Sequence, residues 1–190
     1  MSLWCIKQKQ KNALRLELFN MKLSLLILMF CFPLVGFGYD LNEIRLEFYD
    51  AVRNEKAADK FYKKLKGENL NDPMLLAYFG SAEAVRAKHS WNPYNKVAYL
   101  KSGLKNLNNA VSAKPDNLEI RFLRFSLEHY IPSFLSMSDH LDTDKTHIVK
   151  LIEKRQLGLV DASLLKNIIN FMKDTKRCNA SEIAILDKAI

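Results

Sequence analysis

The chain has 190 residues, 48% of them apolar, enough to bury a real core and, by length, to form one domain. Its formal charge of +8 raises nucleic acid as a partner, but part of that excess sits in the first 38 residues. Beyond them 24 basic residues face 20 acidic ones with the signs interspersed, which is a solvated surface and excludes nucleic acid as the expected partner.

"MKLSLLILMFCFPLVGFGYD" begins at Met21, carries Lys22, and runs uncharged from Leu23 to Gly38. That stretch falls short of the ~20 residues of a spanning helix. The small residues Gly36 and Gly38 suit a signal peptidase. The expectation is a signal peptide over residues 21–38, cleaved before Tyr39, and an exported protein of the periplasm or cell surface. Residues 1–20 are either a long basic n-region (Lys7, Lys9, Lys11, Arg15) or precede the true start at Met21; the second is expected. An uncleaved segment would instead anchor a structural envelope protein, and this is the only membrane association the sequence suggests. Only Cys178 follows Tyr39, so no intramolecular disulfide is expected and packing alone must hold the core.

From Tyr39 onward no Val/Ile/Thr-rich alternating run marks a strand, and helical spacing recurs. "LNEIRLEFYDAV" places Leu41, Ile44, Phe48 and Val52 on one stripe. "EKAADKFYKKLK" does the same with Ala58, Phe61, Tyr62 and Leu65 and stops at Gly67. Asp72-Pro73 and Asn92-Pro93 each read as an N-cap with proline at the first helical position. Asp116 or Asn117 caps the next helix, and Pro132 ends it. After the polar linker "SMSDHLDTD", Asp142 or Thr143 caps a helix running to Arg155, closed by Gly158. Leu164, Leu165, Ile168, Ile169 and Met172 share a face, and "NASE" is a capping box with Asn179 and Glu182. The sum is about eight helices in one all-α domain over residues 39–190.

Two stretches, "ADKFYKKLKGENLNDPMLLAYFGSAEA" and "SGLKNLNNAVSAKPDNLEIRFLRFSLE", share a plan of helix, turn and helix. On Ala58, Tyr62, Leu76, Phe79, Gly80, Gly103, Leu107, Ala110 and Pro115 the chain resembles the tetratricopeptide repeats. The pattern is degenerate: an insertion surrounds "KHSWNPYNKV", Phe125 stands at a small-residue position, and Leu70 replaces a closing proline. The resemblance implies antiparallel helix pairs stacked right-handedly over residues 39–135, with C-terminal helices over 142–190. "EIRFLRF", "IPSFL" and Asp144-Lys145 also look like a group of short exported helical proteins of Bacteroidetes, which brings no catalytic residues across.

Candidate sites follow from charge and aromatic placement. At 100° per residue Arg121, Arg124 and Glu128 fall in a narrow stripe, and apolar residues cover most of the remaining circumference. Structurally Arg124 and Glu128 pair at i, i+4 and Arg121 bridges a neighbouring helix. Functionally the stripe faces a groove, where Arg121 and Arg124 grip a partner's carboxylate beside Glu128. Trp91 and Tyr94 flank a helix–helix turn; such aromatics usually tuck a turn onto the core, and exposed they mark a contact surface. Asp139, His140, Asp142, Asp144 and His147 could hold a divalent metal and support a hydrolase, though their spacing matches no metal motif and also suits a linker with competing helix caps. No phosphate-cradling glycine loop or nucleophile elbow appears, so no cofactor is expected. A helical protein-interaction module, a scaffold or adaptor for a protein or peptide, is the leading expectation.

Overall fold

Polar side chains set most of the helix starts. Asp40 accepts from the backbone N–H groups of Asn42 and Glu43 and opens α1 (Leu41–Arg53). Asn54, extended at φ −132°, ends α1 and caps α2 (Glu55–Lys66) by accepting from Lys56 and Ala57. Asp72 and Asn92 cap α3 (Pro73–His89) and α4 (Pro93–Ala113), each with proline in the first turn where a missing N–H costs nothing. Asn117 caps α5 (Leu118–Tyr130). A single 3-10 turn (Ser133–Leu135) leads to α6 (Leu141–Glu153), α7 (Ala162–Asp174) and α8 (Ala180–Asp187).

This computed structural model describes residues 39–189, which are all-helical, with no strand among them. The segments 1–20 and 21–38 discussed above lie outside the described residues. No helix among the described residues is long and apolar enough to cross a membrane.

The capping box at Asn179 and Glu182 forms as expected, and Ile131 turns extended before Pro132 to stop α5. The start of α6 differs from expectation. It begins at Leu141 without a side-chain cap, and neither Asp142 nor Thr143 serves as one. Asp142 and Thr143 lie exposed in the first turn, while His140 and Asp144 on either side of them are held by tertiary contacts described below. The helix also stops at Glu153, and Arg155 rather than Gly158 takes the first left-handed position, at φ 56°.

Helix α3 is the most enclosed element. Ala77, Gly80, Ser81, Ala82, Ala84 and Ala87 are buried, so it has small side chains on several faces and can be surrounded. It packs against α1, α2, α4 and α5. Its tightest neighbour is α4, where Gly80 and Gly103 meet backbone to backbone: a Cβ on Gly103 would lie 2.6 Å from the Gly80 carbonyl oxygen, and one on Gly80 2.7 Å from that of Gly103. Beside this crossing the buried Glu83 accepts from Ser102 Oγ at 2.8 Å and Asn106 Nδ2 at 2.7 Å. Gly103→Ala should therefore lower stability despite alanine's helix preference of ~1 kcal/mol, because overpacking costs ~1–3 kcal/mol. Chemical denaturation measures it; a stabilised variant would show that the crossing has room.

Aromatic side chains join the elements on either side. Phe48 of α1 sits 5.6 Å edge-on from Tyr78 of α3 and 6.1 Å from Phe61 of α2. At the other end Phe125, Ile148, Ile152, Ile168, Ile169, Met172 and Leu186 build a core from α5 to α8. Cys178 is half-buried at its edge, and burial raises its thiol pKa, the behaviour of an inert spectator thiol.

Candidate functional site

Helix α5 carries four charged residues inside the protein: Glu119, Arg121, Arg124 and Glu128 are all buried. A buried charge is tolerated only when paired and hydrogen-bonded, and each of these is. The network divides into three clusters.

In the first, Arg124 grips Asp144 of α6 with two bonds, Nε to Oδ2 at 2.7 Å and Nη2 to Oδ1 at 2.8 Å. Arg121 Nη1 adds a third at 2.7 Å, and its Nε donates to the Pro115 carbonyl. The Arg124 Nη1 group reaches Asn108 Oδ1 of α4 at 3.0 Å. Asp144 has no exposed surface, so one fully enclosed carboxylate neutralises one of two guanidinium charges.

In the second, Glu119 accepts a fork from Arg45 of α1, at 2.8 and 2.7 Å, and a bond from the Tyr78 hydroxyl at 2.6 Å. Arg45 also donates to the Leu159 carbonyl in the α6–α7 turn. Burial and the adjacent carboxylate push the Tyr78 pKa far up, while the Glu119 bonds push that of Arg45 up, so both stay protonated at any physiological pH.

In the third, both oxygens of Glu128 turn to His140, one accepting from its backbone N–H and the other bonded to Nδ1, each at 2.8 Å. A carboxylate only accepts, so Nδ1 carries the proton and Nε2 points away from Glu128.

The expected solvent-facing seam of Arg121, Arg124 and Glu128 is thus buried. The expected Arg124–Glu128 pair does not form either: Asp144 on α6 offers Arg124 an enclosed carboxylate, and His140 just before α6 offers Glu128 two hydrogen-bond donors. The metal candidates also scatter. Asp144 holds the arginines, His140 holds Glu128, and His147 Nε2 bonds Asp116 at 2.8 Å, lowering that carboxyl's pKa. Asp139 and Asp142 are exposed, and no group of three His, Cys, Asp or Glu positioned for a metal occurs among the described residues. Residues close in sequence diverge because α6 turns each successive side chain by ~100°.

Trp91 and Tyr94 do the reverse of tucking the turn onto the core: they stand 91% and 85% exposed. Asn92 and Pro93 between them start α4, so Tyr94 sits in its first turn and Trp91 just before its cap.

Against the outer side of the ion clusters lies a cleft of 420 Å³ between α4 and the α5–α6 connection. Lys101, Lys105, Asn108 and Asn109 of α4 line one wall, and Asp139 and His140 the other. Sequence reading missed Glu119, Arg45, Tyr78, Lys101 and Lys105. The first three pair across 41 and 74 residues, for which no local signal exists. The two lysines have the i, i+4 spacing of one helix face, a signal that was readable. No family model, curated protein or solved structure matches the chain.

Proposed function

We propose that the chain is an exported helical-repeat module, a scaffold or adaptor that binds a protein or peptide partner in the periplasm or at the cell surface. The contact order of the helices supports the repeat reading: each of α1 to α5 touches the next, and α1 touches α3 as α3 touches α5. Stacked helical hairpins of the tetratricopeptide kind give that alternation.

The observation that carries the interaction reading is the exposed Trp91–Tyr94 pair. Tryptophan and tyrosine are enriched at interface hot spots, and with two side-chain torsions each they bury a large area for little lost freedom on docking. The buried Arg121 and Arg124 already have their carboxylate, so the aromatic pair takes over the docking role proposed for them.

Affinity capture from the exported fraction, run with wild type and with Trp91→Ala/Tyr94→Ala, tests this. The wild type should retain a partner that the double variant loses by about tenfold or more. An identical captured set with both baits would refute the reading.

A further inference from the structure

We propose that the cleft between α4 and the α5–α6 connection binds a compact oxyanion, a carboxylate or phosphate group. This stands independently of whether the Trp91–Tyr94 pair docks a partner.

The argument begins with which atoms the buried clusters leave over. Arginine only donates, so the Asn108 oxygen must face Arg124, and the Asn108 amide N–H₂ is left to donate toward the cleft it lines. Lys101 and Lys105, one turn apart on the same wall, have no carboxylate partner among the described residues. Opposite them, the bonds to Glu128 fix the His140 ring so that Nε2 faces outward, and the side chain is 37% exposed. The cleft therefore offers two ammonium groups and an oriented amide as donors.

Charge favours the same ligand. The two arginines share the carboxylate of Asp144, with Asp116 also acting on Arg121, and Arg124 sets its Nη1 group directly behind Asn108. Glu128 has both oxygens occupied by His140 and is enclosed, and the only other acid lining the cleft is the exposed Asp139. Among the groups lining the cleft, Lys101 and Lys105 offset Glu128 and Asp139, and Arg124 behind Asn108 adds positive potential. A carboxylate or phosphate entering the cleft meets charge-assisted hydrogen bonds, the strong kind, from the two lysines beside an amide already oriented by Arg124. A cationic ligand would find Asp139 as the one exposed carboxylate among the residues lining the cleft.

Isothermal titration of the full chain at low ionic strength tests the site with two probes, inorganic phosphate and a short peptide of alternating Asp and Glu. Low salt is chosen because screening would hide a shallow site. Saturable binding is expected for at least one probe, weakened about tenfold or more by Lys101→Ala/Lys105→Ala. Asn108→Asp, which keeps an acceptor for Arg124 but places a carboxylate in the wall, should abolish it. Lys166→Ala, an exposed lysine on α7, should leave it unchanged. Both lysines of the double variant are exposed, so their loss leaves the core intact. Phosphate alone binding identifies a free small anion as the ligand, and the peptide alone identifies a carboxylate-bearing segment. Absence of saturable binding by either probe, or equal affinity in the wild type and the two-lysine variant, overturns the proposal.

Discussion

Replacing Asp144 by alanine should cost ~3–5 kcal/mol of folding stability, the largest effect expected of any single substitution in this chain. The reason is what it leaves behind. Arg121 and Arg124 are almost fully enclosed and would keep two positive charges with only Asn108 and the Pro115 carbonyl as partners. Domains of this size are stable by ~5–15 kcal/mol, so the variant would lose about a fifth of the total or more. At ~2–4 °C per kcal/mol, its thermal midpoint should fall by ~6–20 °C. The triple variant Arg121→Met/Arg124→Leu/Asp144→Leu separates pairing from packing. Replacing a whole buried ion cluster by apolar groups is often neutral or stabilising, so it should recover most of the loss. A single variant within ~1 kcal/mol of wild type would show that solvent reaches the arginines after all.

Glu119→Ala comes second, with an expected loss of ~3 kcal/mol. It leaves the Tyr78 hydroxyl, inside the protein, without its acceptor, a desolvation cost of ~1–3 kcal/mol. It also strips Arg45 of its forked partner, although Arg45 is partly exposed and can lean toward Asp161, 3.7 Å away. That escape route is why the effect should be smaller than at Asp144. The check is a double-mutant cycle with Tyr78→Phe. The two substitutions should be coupled by ~1 kcal/mol or more, and additive losses would mean the 2.6 Å bond carries no net stability.

These two carboxylates also show where sequence reading reached its limit. Helix existence was legible because its signals are local: Asp72-Pro73, Asn92-Pro93 and the Asn179–Glu182 box lie within a single turn of what they cap. The close approach of Gly80 and Gly103 left a weaker local trace, two glycines within helical segments, and nothing local says that they meet. The projection of α5 correctly grouped Arg121 and Arg124 on one face. It could not say what that face meets, because Asp144 lies 20 and 23 residues further on and is buried only once α6 docks. The α6 start failed for the same reason. Local capping by Asp142 or Thr143 competes with tertiary pairing, and His140 and Asp144 are held by Glu128 and the arginines. Trp91 and Tyr94 stayed open between core and surface for another reason: a large aromatic is usually covered, and nothing local says otherwise.

The enclosed charges of α5 have a consequence for the order in which the chain can assemble. A helix with only apolar residues can settle against any greasy neighbour, including a wrong one or another copy of itself. Helix α5 cannot, since Glu119 must find Arg45 near one end of the described chain, and the two arginines must find Asp144 toward the other. Until both arrive, enclosing α5 strands bare ions, so half-built or mismatched assemblies are penalised and only the complete arrangement closes. The ionic groups thus act as a checkpoint on assembly, stabilising the finished fold less by their own attraction than by making its rivals worse.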